Sequence, residues 1–227
     1  MARQKRICIP GIPFHVTQRG SHGATTFFAR EDFELYLRLL AIATNRFGAE
    51  LHAYVLMTNH VHLLITPRHS DSLSRTMQYA AGVYSRQVNE RLGRTGAVWG
   101  SRFWSAPIEA DGYCLACYRY IELNPVRARM VTSPASYPWS SYGANGLGTS
   151  STLIVPQATY LALGSTVTAR SAAYRRLFEV PLSESVLDDI RNGTRRGLPT
   201  GSLRFRERFE ASKRNEEGGE ASGTTGV

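Results

Sequence analysis

Two strand-length apolar runs, residues 51–57 and 60–66, are separated by only Thr58-Asn59. A crossover into a parallel strand needs about a dozen residues or more, so a two-residue link folds these runs back on each other as an antiparallel hairpin. The flanking segments change period. Over 30–47, Phe33, Tyr36, Leu37, Leu40 and Phe47 recur at helical spacing, with Glu31, Asp32 and Glu34 in the first turn and Gly48 placed as a C-cap. Over 71–92, Leu73, Met77, Ala80, Tyr84 and Val88 line one side of a second helix, which Gly93 and Gly96 end. Residues 12–18 form a first strand closed by Arg19-Gly20, 97–109 are loop and strand, and 111–123 are a third helix stopped at Asn124-Pro125. The order β-α-β-β-α-β-α predicts an α+β fold: a ferredoxin-like split βαβ sheet with helices on one face.

Beyond this unit the pattern weakens. Residues 1–135 are expected to form the principal domain and 136–155, rich in Ser, Pro, Gly and Tyr, a linker-like segment. Residues 156–211 carry short helical runs, one with Ser183 and Gly197 as its caps, and form a helical extension with DNA binding as its candidate role. Residues 212–227 are dominated by Glu, Gly, Ser and Thr and are expected to be a disordered tail.

Charge narrows the function classes. Residues 1–135 hold 16 Arg/Lys against 9 Asp/Glu, a net of +7, while 136–227 hold 11 against 9, a net of +2. Every basic residue except Lys5 and Lys213 is Arg, whose planar fork grips phosphate with two hydrogen bonds. A polyanionic partner follows, and a hydrolase of small substrates gains little from such a field. No signal-peptide h-region and no membrane-length apolar run is read, and three cysteines make no disulfide framework, so a cytoplasmic, nucleoid-associated protein with reduced thiols is expected. Cys114 and Cys117 form a lone C-x-x-C that reads as helix packing, because a second ligand pair is missing.

The chemistry concentrates in two short segments. Side chains alternate across a strand, so His60 and His62 share a face, where two imidazoles are either buried with partners or functional. Tyr120 and Asn124, four apart, share a helix face. Two imidazoles, an amide oxygen and a phenol suit a metal site with a nucleophile beside it. Tyr113 and Tyr118 satisfy the nucleophile by residue type, and Asn124 favours Tyr120 because it sits one turn beyond it. His15, His22, His52 and His69 read as isolated. Trp99, Phe103 and Trp104 beside Arg102 read either as a packed aromatic corner or as a platform for unpaired bases.

The segment from Tyr54 to Ile65, with His60-Val61-His62 at its centre, resembles the histidine–hydrophobic–histidine motif of the HUH single-tyrosine transposases. Tyr120-Ile121-Glu122-Leu123-Asn124-Pro125-Val126-Arg127-Ala128 resembles the catalytic-tyrosine helix of one branch, the REP-associated tyrosine transposases. Arg102-Phe103-Trp104 and residues 137–142 also match recurrent stretches of that branch, so the resemblance covers about residues 5–145. It implies that His60, His62 and Asn124 ligate a divalent metal, Mg²⁺ or Mn²⁺, although mobile-element relatives typically carry Gln at the Asn124 position. It implies that Tyr120 is the nucleophile, forming a 5′-phosphotyrosine with single-stranded or hairpin (REP, palindromic) DNA, and that the enzyme is a homodimer. Arg3, Lys5, Arg6, Arg19, Arg102, Trp104 and Arg127 are the candidate DNA contacts. The rival readings are a mobile insertion-sequence transposase acting on its own ends and a hairpin-DNA-binding protein without catalysis.

Overall fold

The computed structural model describes the backbone of residues 8–221 and the side chains of residues 8–214. Arg3, Lys5 and Arg6 lie outside it. Strand β1 is Phe14–Arg19, helix α1 Arg30–Phe47, β2 Ala49–Met57, β3 His60–Pro67, α2 Ser72–Arg91, β4 Trp104–Pro107 and α3 Cys114–Glu122. They follow the order expected from the periodicities. Every strand pair is antiparallel, and the sheet order is β2-β3-β1-β4, which puts the histidine-bearing β3 beside β1 at the centre.

Gly20 explains how the β2–β3 hairpin tip is held. Its N–H donates to the Asn59 carbonyl at 2.8 Å, and a Cβ there would stand 2.3 Å from the Ala24 carbonyl oxygen. Only a residue without a side chain permits that approach. Helix α1 ends on Gly48 in the left-handed region, φ 66°, as a C-cap should. Asp32, in its first turn, accepts the N–H groups of Phe28 and Ala29 and pairs with Arg91 of α2, so one buried carboxylate caps one helix and ties it to the next.

The sheet is covered on both faces. Phe14, Val16, Val61, Leu63 and Ile65 pack with Tyr36, Leu40, Met77 and Tyr84 of α1 and α2. Ala53, Val55, Met57 and Leu64 pack on the opposite face with Cys114, Cys117, Tyr118 and Ile121 of α3. The two crossover helices do share one face as expected, but α3 does not join them. The reason is legible in β2, where Val55-Leu56-Met57 is a continuous apolar run, the mark of a strand buried on both sides. A bulge between Leu51 and Ala53 shifts the alternation, so that Leu51 joins the α1/α2 core and Ala53 the other.

The remaining helices are α4 (Asn124–Arg127), α5 (Tyr142–Asn145), α6 (Ala158–Leu161), α7 (Val167–Arg176), α8 (Glu184–Arg196) and α9 (Leu203–Ala221). They pack on the principal unit. The stretch expected to be linker-like lies along the outer edge of β2: the Leu56 N–H donates to the Trp139 carbonyl at 2.9 Å, and the Tyr137 hydroxyl to the Leu56 carbonyl at 2.7 Å. Tyr160, Tyr174, Leu187 and Ile190 enter the α3 core, and Phe209 enters the α1/α2 core. Helix α9 spans Leu203–Ala221, so the tail expected from residue 212 begins within it; residues 222–227 lie outside the described residues. Cys114 and Cys117 are buried thiols in α3, and burial pushes Cys114 up to about 12, which fits packing and not redox or metal work. Among the described residues, no helix is long and apolar enough to cross a membrane.

Candidate active site

On β3, Val61, Leu63 and Ile65 belong to the α1/α2 core, so the intervening His60 and His62 face α3. Each has one ring nitrogen tied back. The Asn59 amide nitrogen donates to the Gly23 carbonyl at 2.9 Å, which leaves its Oδ1 as acceptor for the His60 Nδ1–H at 2.6 Å. His62 Nδ1 lies 2.9 Å from Nε2 of His15 on β1. His15 is therefore not isolated, as its sequence context suggests. The His15 and His62 rings are 7° from parallel with centroids 5.1 Å apart, as an edge-to-edge N–H···N bond requires. In both His60 and His62 it is Nε2 that remains for a ligand.

Burial and the Arg127 charge lower His15 to about 3, while burial and Arg19 lower His60 to about 4. His62 is held well below the ordinary imidazole value by burial and by its histidine neighbours. All three are neutral near pH 7, and the neutral ring is the form that ligates a cation.

Helix α3 brings Tyr120 across from this pair, its ring 5.8 Å from His62 and 5.4 Å from His15 between centroids. Asn124 begins α4 after Leu123 leaves the α3 geometry. Its amide nitrogen donates to the Tyr120 carbonyl at 3.0 Å, which leaves Oδ1 for the cleft. Two imidazole nitrogens and an amide oxygen are donor types that a divalent cation accepts; among the described residues no group of three or more His, Cys, Asp and Glu is placed to hold a metal ion. The Tyr120 ring is 7% exposed. Burial raises its phenol above the ordinary value, and the charges of Arg127 and Arg191 pull it back. The Arg127 guanidinium stands over the ring, 4.4 Å from its centroid, and also donates to the Tyr120 carbonyl.

These residues open on one cleft of about 560 Å³, lined also by Thr17, Arg19, Trp104, Arg191, Thr194 and Arg195. No carboxylate is among the described residues of that lining, so the wall favours an anion. Arg19 and Trp104 thus share the cleft with the four chemical residues, and Trp104 is 41% exposed at its mouth. Arg102 is exposed in the preceding loop and lines no part of the cleft. Trp99 and Phe103 are buried core residues, as the aromatic-corner reading has it. Tyr118 is buried against Tyr160 and Tyr174, and Tyr113 caps α3 beside Asp189.

Sequence reasoning missed His15, Arg191 and Thr194. Strand alternation places His15 and Thr17 on one face of β1, which is a faint signal. The caps Ser183 and Gly197 announce α8 as a helix, but nothing local announces that it lines the cleft, because its partners there lie far away in the chain.

A family described as IS200-like transposases matches residues 21–124. The matched segment contains His60, His62, Tyr120 and Asn124 and leaves β1, Arg127 and α8 outside it. A Haemophilus influenzae protein assigned as a REP-associated tyrosine transposase is 27% identical over 103 residues, 41% of this chain. The match spans 58% of that relative's length. The solved structure of a REP-associated tyrosine transposase bound to a REP hairpin aligns with a TM-score of 0.54 at 19% identity, covering 69% of this chain and 93% of the other. The likeness to that solved structure is one of fold.

Proposed function

We propose that the protein cleaves and rejoins single-stranded or hairpin DNA of the REP, palindromic type, with Tyr120 as nucleophile and a divalent metal, Mg²⁺ or Mn²⁺, held by His60, His62 and Asn124. The observation that carries this reading is the single arginine-walled cleft in which those four side chains meet. The names of the matched relatives supply the substrate class.

In the proposed reaction the Tyr120 phenol gives its proton to water and its oxygen attacks the scissile phosphorus. The new bond is P–O(Tyr120), the bond to the 3′-oxygen breaks, and that oxygen leaves as a 3′-hydroxyl after taking a proton from water. Attack by a 3′-hydroxyl on the phosphotyrosine reverses the step, so bond energy is retained and no nucleotide cofactor is needed. A bound divalent cation would supply Lewis-acid polarisation of the phosphate. Arg127 and Arg191 favour the phenolate against the burial that opposes it. Arg19 and Arg195, which line the cleft, would hold flanking phosphates, and Trp104 at its mouth would stack an unpaired base.

The test is a denaturing gel of labelled hairpin oligonucleotides incubated with protein and Mg²⁺ or Mn²⁺, beside Tyr120→Phe. A slow-migrating covalent adduct in the wild type alone is the expected result. An adduct that survives Tyr120→Phe moves the nucleophile elsewhere, and retardation on a native gel without cleavage under either metal overturns the enzymatic reading.

A further inference from the structure

The His15–His62 bond continues into the C-terminal extension. His15 Nδ1 is 2.6 Å from Thr194 Oγ1 of α8, and the Thr194 hydroxyl is 2.8 Å from the Ile190 carbonyl oxygen. A carbonyl carries no hydrogen, so in that contact Thr194 is the donor. Its oxygen is then the acceptor for His15 Nδ1–H, and His15 Nε2 is the acceptor for His62 Nδ1–H. One fixed acceptor at the far end thus orders every proton in the row. The reverse order, Thr194 donating to His15 and His15 to His62, sacrifices the Ile190 bond and turns an N–H of His62 toward the cleft.

We propose that Thr194, acting through His15, is a positioning residue for His62: its hydroxyl selects the ring tautomer that offers the Nε2 lone pair to a cation. This rests on the metal reading above. It also gives the extension a share in the site, because α8 lies outside the residues matched by the transposase family. His15 is 1% and Thr194 2% exposed, so water is a poor substitute for either partner. Partners of this kind orient metal ligands in general, and their loss typically weakens metal binding by roughly tenfold to a hundredfold.

Thr194→Val keeps the side-chain shape and removes the hydroxyl. Forward order would then leave a buried His15 N–H unpaired, so the row should invert and His62 should become the Nε2–H tautomer. Thr194→Ser keeps the hydroxyl. The experiment reads the long-range ¹⁵N–¹H spectra of the histidine rings in metal-free full-length protein, and Mn²⁺ affinity by electron paramagnetic resonance, with thermal unfolding as the check on folding. The expected result is a Nδ1–H His62 in wild type and Thr194→Ser, an Nε2–H or mixed His62 in Thr194→Val, and Mn²⁺ binding at least about tenfold weaker in Thr194→Val alone. Wild-type protein whose His62 already carries its proton on Nε2 overturns the proposal, with no variant needed. So does a Thr194→Val protein with unchanged tautomer and affinity, and so does equal damage from Ser and Val, which would assign the effect to packing. Wild-type protein that binds no Mn²⁺ would sink the metal reading, and the ring spectra would still decide the proton order.

Discussion

Tyr120 is a poor phenolate until cations surround it. Burial works against ionisation, and the two guanidiniums that work for it come from α4 and α8. Arg127→Met should therefore lower the cleavage rate on the order of a hundredfold, the usual scale for losing one group aimed at developing negative charge. Single-turnover cleavage of a hairpin oligonucleotide measures it, and a rate within threefold of wild type would remove Arg127 from the chemistry. Asn124→Ala should weaken Mn²⁺ binding while leaving the metal-free melting temperature nearly unchanged, because its amide only bonds back to its own helix end. Unchanged Mn²⁺ affinity would exclude Asn124 as a ligand.

At the scale of elements, Glu122 holds α3 to its neighbours. Its buried carboxylate accepts from Ser141 at 2.6 Å, Asn145 at 2.9 Å and Tyr174 at 2.7 Å, joining the helix of Tyr120 to α5 and α7. Burial outweighs these bonds and raises the group from 4.5 to about 7. The sign follows: the folded state binds the extra proton, so this stability is full below pH 4.5, falls as pH rises toward 7, and stays lost above, at a cost on the order of 3 kcal/mol. His15 and His60, depressed to about 3 and 4, act oppositely, since their stability is present above pH 6.5 and lost on acidification. Comparison with Glu122→Gln isolates the carboxylate. In EDTA, the melting temperature of the variant minus that of wild type should rise between pH 5 and pH 8, and a difference that does not change with pH would show that Glu122 is not titrating there. The limits of sequence reading fall at the same scale. His60 and His62 declare a shared face by alternation alone, and Tyr120 with Asn124 by the helical period. The Thr58-Asn59 turn fixes β2 against β3. None of these local rules reports that Ser141 and Tyr174 meet Glu122, or that Tyr137 and Trp139 line β2, because polar partners chosen through the tertiary fold leave no periodic trace.

For the whole molecule, residues 1–135 carry a net charge of +7, and Arg19 of that unit meets Arg191 and Arg195 of the extension on one cleft. Binding of single-stranded DNA should weaken steeply with salt, and Arg19→Ala, Arg191→Ala or Arg195→Ala should each flatten the slope of log affinity against log salt by roughly 0.7 if that arginine meets a phosphate. Fluorescence anisotropy across a salt series decides it, and parallel slopes for wild type and variant would remove that arginine from the footprint. Light scattering of the purified protein in solution tests the homodimer expected from the sequence resemblance, and a monomer with and without DNA would reject it.

Thr194 and His15 stand 179 positions apart in the chain, yet they share one proton-ordered row. Contacts of such separation form late, after loop closure has brought the ends together. A chain cut before α8 carries both histidines and the tyrosine, yet lacks the hydroxyl that is proposed to order them.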